Sequence, residues 1–236
     1  MLEYILENKL YSGAILELMA AICGSYYLYK IRTAPQKNRI FVWFLWFVFF
    51  LDTAGFYTIW NYFDNYKTFP WLRNSVLVRN EWLYNLLKPI TYLVYCSVFV
   101  SSFKTFLLRK WFRLAMFLYA IIALAVILFS GNLFVEYLIP NILLGNLLLL
   151  ACVGTYFLKL LNNDDILYFT KDLLFYIAIG TVVWNLCVTP IYIYNTYFSW
   201  ENKEFLLFYS SVLRFCNIFM YCTFSLGFLI CARSGK

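Results

Sequence analysis

The sequence predicts an all-α membrane protein of seven transmembrane helices, and three observations predict it. The 236 residues are 64% hydrophobic, 23% aromatic and 13% charged, whereas an ordinary soluble domain carries roughly 25% charged residues. Apolar runs of about 20 residues, the length that crosses a hydrocarbon core of about 30 Å, recur along the chain. The connections between them are too short to fold separately, so residues 1–236 read as a single transmembrane domain.

Seven such runs lie near residues 11–31, 40–61, 82–103, 112–130, 138–159, 173–195 and 205–230. The first is expected to be retained as a helix, because acidic Glu3 and Glu7 precede it where a cleavable signal wants positive charge. The second carries Asp52 and Gly55, the third Lys88 and Pro89, the fifth opens at Pro140, the sixth contains Pro190 and the seventh Arg214. Proline inside a span frees a backbone carbonyl that a neighbour or a cavity must satisfy.

Orientation follows from the basic residues of the connections. Of the 19 Lys and Arg, twelve fall on one side: Lys30, Arg32, Lys37 and Arg39; Lys104, Arg109, Lys110 and Arg113; Lys159 and Lys171; Arg233 and Lys236. Five fall on the other, Lys9, Lys67, Arg73, Arg79 and Lys203. The amino terminus is therefore expected outside and the carboxyl terminus in the cytoplasm, as in a multi-pass protein of a bacterial cytoplasmic membrane. The net charge of +7 then expresses orientation and affinity for an anionic leaflet; the bilayer is the expected partner, and nucleic acid is not. Trp60, Trp71, Trp82, Trp111 and Trp200 fall at span ends or loops, as an interfacial aromatic belt requires.

Catalytic chemistry is poorly provided for. The chain has no histidine, which removes His-ligated metal sites and His general bases. The seven cysteines are scattered over five spans without a CxxC pair and read as buried free thiols. No GxSxG, phosphate-binding loop or dinucleotide fingerprint occurs. Neither an enzyme, a cofactor nor a metal is expected.

A faint internal repeat is present. "GSYYL" at 24–28, closing the first span, recurs as "GTYFL" at 154–158, closing the fifth. At a constant offset, Asn85, Lys88, Thr91, Tyr95 and Cys96 of the third span correspond to Ser211, Arg214, Asn217, Tyr221 and Cys222 of the seventh. That spacing places each set on one helix face. A duplication would make residues 11–103 one triple helix and 138–230 a second, with 112–130 as linker, a 3+1+3 bundle.

That organisation, with "APQ" at 34–36 after the first span, resembles the SWEET and PQ-loop sugar facilitators and, more distantly, the opsins. For an opsin the seventh span lacks a lysine to form a Schiff base before Lys236. The chain is also similar to small bacterial seven-span proteins rich in Tyr, Phe and Asn. The facilitator resemblance implies a solute site between the two triples.

The charges inside the spans fit such a site. Glu17 lies on a stripe of small residues, Gly13, Ala20, Ala21 and Gly24, which allows close helix approach. By position Glu17, Asp52, Lys88 and Arg214 all belong to the outer half, where Arg214 is expected to meet Asp52 or Glu17 and Lys88 the other acid. They form either a structural ion-pair network or a ligand or gate site, since ionisable groups within the bilayer are costly unless paired or used. Tyr95, Asn217 and Tyr221 join them as hydrogen-bonding candidates, together with Tyr92, Asn146 and Asn185 as interhelical polar contacts. Two functions are expected: a facilitator or transporter for a small polar or anionic solute, or a sensory module acting through a separate cytoplasmic signalling partner.

Overall fold

The computed structural model describes residues 11–162, 169–194 and 203–235. Among these the chain forms α-helices and short 3-10 turns, with no strand. The helices are α1 (Tyr11–Lys30), α2 (Gln36–Gly55), α3 (Tyr57–Phe63), α4 (Glu81–Val100), α5 (Phe106–Phe129), α6 (Ile139–Leu161), α7 (Leu173–Tyr194) and α8 (Lys203–Ser234). Glu3, Glu7, Lys9, Asp164, Asp165, Trp200 and Lys236 lie outside the described residues.

Six spans are long and apolar enough to cross a membrane: α2 continued by α3, then α4, α5, α6, α7 and α8. The protein is thus a polytopic, multi-pass membrane protein. Of the seven expected spans, α1 is the one that does not meet this measure, because Glu17 and its Ser, Gly and Tyr residues dilute its apolar content. What holds α1 is packing: it buries Glu17, Ala20, Ala21, Gly24 and Tyr27 and lies between α2 and α8. The fourth span begins at Phe106 instead of 112, since Arg109, Lys110 and Arg113 are good helix formers whose charged heads reach the interface. The second span is interrupted at Phe56, whose N–H bonds the Thr53 carbonyl at 3.2 Å. Pro89 and Pro190 are accommodated inside continuous α4 and α7.

The packing describes a ring. Around it α1 meets α2, α2 meets α4, α4 meets α6, α6 meets α7, α7 meets α8, and α8 returns to α1. α5 lies outside, packed on α4 and α6 and burying only Tyr119 and Ala123. Two of its ties are polar: the Tyr119 hydroxyl donates to the Asn141 carbonyl at 3.0 Å, and Asn141 Nδ2 to the Ala123 carbonyl at 3.3 Å. Its remaining surface, including Phe117, Ile121, Leu124 and Leu128, is exposed and apolar, which suits lipid.

The middle of the ring is closed by an aromatic layer. Phe41, Phe99, Phe224 and Phe228 are fully buried; Phe41 meets Phe224 edge-on at 5.3 Å between centroids, stacks on Phe228 at 6.0 Å and tilts against Tyr95 at 5.8 Å. Gly24 and Gly180 leave room for these rings, since an added Cβ would come within 3.1 Å of Phe228 and 2.7 Å of Phe224 respectively. The glycines of the two matching pentapeptides differ here: Gly24 is tightly packed, whereas Gly154 has nothing within 4 Å.

Gly145 sets the α4–α6 approach, because a Cβ there would run into the Tyr92 ring and the Tyr119 hydroxyl. Gly145→Val is expected to destabilise the protein by about 1–3 kcal/mol through overpacking. Gly154→Ala, into open space, is expected to be neutral or slightly stabilising by helix propensity. Thermal unfolding in detergent compares the two.

Candidate functional site

On one side of the aromatic layer the ring encloses a cavity of about 380 Å³, toward the start of α1 and α4. This is within the size range of small-molecule sites. Glu17 enters from α1, Asp52 from α2, Lys88 and Tyr95 from α4, and Asn217 and Tyr221 from α8. Six of the seven expected site residues therefore line one cavity. The α4 contribution has helical spacing, Tyr84, Lys88, Thr91, Tyr92 and Tyr95, because positions three and four apart share a face.

The carboxyl groups of Glu17 and Asp52 line the same cavity, close enough to interact with each other. The Tyr221 hydroxyl donates to Glu17 Oε1 at 3.3 Å. Glu17 Oε2 and Asp52 Oδ1 are buried and receive no hydrogen bond among the described residues. Two ionised carboxylates so close repel, whereas one proton held between them converts the repulsion into a hydrogen bond. The pair is thus suited to share a proton or to accept a donor from a bound molecule.

Lys88 answers the acids at a distance. Its Nζ lies 4.3 Å from the centroid of the Trp184 ring and 5.2 Å from that of Tyr192, within electrostatic reach of Asp52. The direct ion pair expected for Lys88 is absent among the described residues; aromatic faces hold the ammonium instead, an attraction that grows as water is removed. Trp184 is fixed by its Nε1, which donates to Asn217 Oδ1 at 2.7 Å.

Arg214 is placed differently from expectation. It is half-buried and does not line the cavity, while its neighbours Leu213 and Asn217 do. One residue along a helix is about 100° around it, so a face presenting Leu213, Asn217 and Tyr221 carries Arg214 to the side. Tyr221 and Lys88 face the two carboxyls, with Tyr84, Tyr95 and Tyr192 also lining the cavity near them. Asn85, at the head of the α4 stripe, is structural: its Nδ2 donates to the Leu133 and Glu136 carbonyls, both at 2.8 Å, and its Oδ1 accepts from the Leu138 N–H at 3.0 Å. Asn146 Nδ2 donates to Thr189 Oγ1 at 2.7 Å, joining α6 to α7, and Asn185 Nδ2 to the Thr181 carbonyl at 2.7 Å.

Sequence reasoning missed Tyr84, Tyr137, Trp184, Tyr192 and Tyr209, which also line the cavity. With 21 tyrosines in the chain, residue type alone does not single them out. Spacing from Lys88 finds Tyr84; Tyr137, Trp184, Tyr192 and Tyr209 come from other segments.

Comparison with family models, curated proteins and solved structures gives no match to this chain. The reading of the site rests on its own chemistry.

Tyr221→Phe removes a donor to a buried carboxyl and is expected to cost about 1–3 kcal/mol. Tyr95→Phe removes a hydroxyl that has no described protein partner and is expected to cost less than about 0.5 kcal/mol. Thermal unfolding of the two variants side by side tests the assignment.

Proposed function

We propose that the protein is a small-solute facilitator whose binding site is the cavity of Glu17, Asp52 and Lys88. The observation that carries this reading is a polar cavity of about 380 Å³ inside a closed helix ring, with carboxyl oxygens lacking hydrogen-bond donors among the described residues. With one proton held between the two carboxyl groups, the single negative charge left to them is balanced by the Lys88 ammonium, which favours a neutral polar solute.

On this reading the chain crosses a bacterial cytoplasmic membrane seven times, α1 included, with the start of α1 outside. The triples α1–α2/α3–α4 and α6–α7–α8 are related by duplication, and α5 links them. The packing supports it: exchanging α1 with α6, α2 with α7 and α4 with α8 turns each contact of the ring into another contact of the ring. Orientation is supported by Lys37, Lys104, Lys159 and Lys171, which gather at the end opposite the site. The aromatic layer of Phe41, Phe224 and Phe228 serves as the closed gate between the two ends.

Uptake of a panel of small polar and cationic solutes into proteoliposomes tests the proposal. Asp52→Asn and Lys88→Met, in folded protein, are expected to lower uptake by about tenfold or more, the loss of roughly one charge-assisted contact. Arg214→Met is expected to leave it unchanged. Absence of uptake above protein-free liposomes for every solute would favour instead a sensory module acting through a separate cytoplasmic partner.

A further inference from the structure

The helix ring holds two cavities. One, of about 680 Å³, lies on the far side of the aromatic layer, where Lys37, Lys104, Lys159, Lys171 and Asp172 are among its lining. The other is the Glu17–Asp52–Lys88 cavity of about 380 Å³, and within it acid and base are held apart. Glu17 is only 5% exposed, and its Oε2, like Asp52 Oδ1, receives no hydrogen bond among the described residues. Lys88 and Asp52 act on each other through space but form no direct ion pair among the described residues. The ammonium sits instead over the rings of Trp184 and Tyr192, and the hydrogen bond from Trp184 to Asn217 keeps the indole in place beneath it.

Such an arrangement sorts solutes by their pattern of charge. A simple anion is attracted at the ammonium and repelled at the carboxyl pair, and a simple cation the reverse. A solute that carries both an ammonium and a carboxylate meets an opposite charge at each end, and charge-assisted hydrogen bonds of that kind are about twice as strong as neutral ones. The remainder of such a molecule finds apolar wall, because Phe44, Leu45, Val48 and Leu87 line the same space.

We propose that this cavity binds a small zwitterion of the amino-acid type, its ammonium on Glu17 and Asp52 and its carboxylate on Lys88. The proposal rests on the reading of the cavity as a solute site and narrows the neutral polar solute to one chemical class. With one proton held between the two acids, protein and ligand each bring one negative and one positive charge, so the filled site remains neutral and no charge is left unopposed away from water.

The test reads binding by thermal unfolding of the full chain in neutral detergent, near neutral pH and at fixed ionic strength. Glycine, L-leucine, L-glutamine and L-phenylalanine are each compared with the amide, which lacks the carboxylate, and with the N-acetyl derivative, which lacks the ammonium. At least one free amino acid is expected to stabilise the protein, with a half-effective concentration about tenfold or more below that of either blocked form. In Lys88→Met the amide is expected to match the free amino acid, and in the double variant Glu17→Gln/Asp52→Asn the N-acetyl derivative is expected to match it. Should these variants not fold, the comparison of ligands on the wild type decides the matter alone. The proposal is overturned if no free amino acid stabilises the wild type, if either blocked form stabilises it equally well, or if the folded variants keep the wild-type preferences. Uptake distinguishes this from failure of the facilitator reading: transport of another neutral solute without amino-acid binding removes the zwitterion alone, whereas stabilisation by an amino acid that is not taken up keeps the zwitterion site and removes the facilitator.

Discussion

Hydrocarbon offers no partner to a polar group, so every carboxyl, ammonium and amide inside the spans must find one within the protein or enclose a wet space of its own. The ring of helices answers that constraint. It turns Glu17, Asp52 and Lys88 away from lipid, surrounds them with tyrosine hydroxyls, and leaves the outer faces of α2, α5 and α8 to residues such as Trp43, Phe117 and Phe215, which are exposed and apolar. The position of α1 follows from the same constraint. A helix carrying a glutamate in its first half is held by close packing on α2 and α8, with Ala20, Ala21 and Gly24 at the contact.

The molecule keeps its polar chemistry at two levels separated by a dry one. From Tyr221 to Cys231 on α8 is ten residues, roughly 15 Å of helix, and the residues between include fully buried Phe224 and Phe228. Small residues and large rings are complementary there: Gly24 and Gly180 supply the space that Phe228 and Phe224 occupy. The result is a closely packed aromatic layer between the two cavities. Glu17, Asp52 and Lys88 lie on one side of it, and Lys37, Lys104, Lys159, Lys171 and Asp172 on the other.

Asparagines illustrate how one residue type divides its labour. Asn85 bonds three backbone groups and fixes the turn ahead of α6; Asn146 crosses to Thr189; Asn217 orients the indole that carries Lys88. Only the last acts on the site, and it does so through Trp184. Of the residues at matching offset on α4 and α8, Thr91, Tyr95, Asn217 and Tyr221 converge on the cavity, while Asn85 and Arg214 do not.

The sequence by itself determined the solvent, the helical class and the approximate spans, because those depend on composition and run length, which are local sums. It also determined that Glu17, Asp52 and Lys88 share a depth, since depth along a helix is a count of residues. Tertiary structure decided which way each side chain turns about its helix axis. Rotation of α8 is set by its packing on α1 and α7, and this brings Asn217 and Tyr221 inward and carries Arg214 aside. Lys37, Lys104, Lys159 and Lys171 were legible only as an excess of positive charge in the connections; they line one cavity because packing brings the helix ends together.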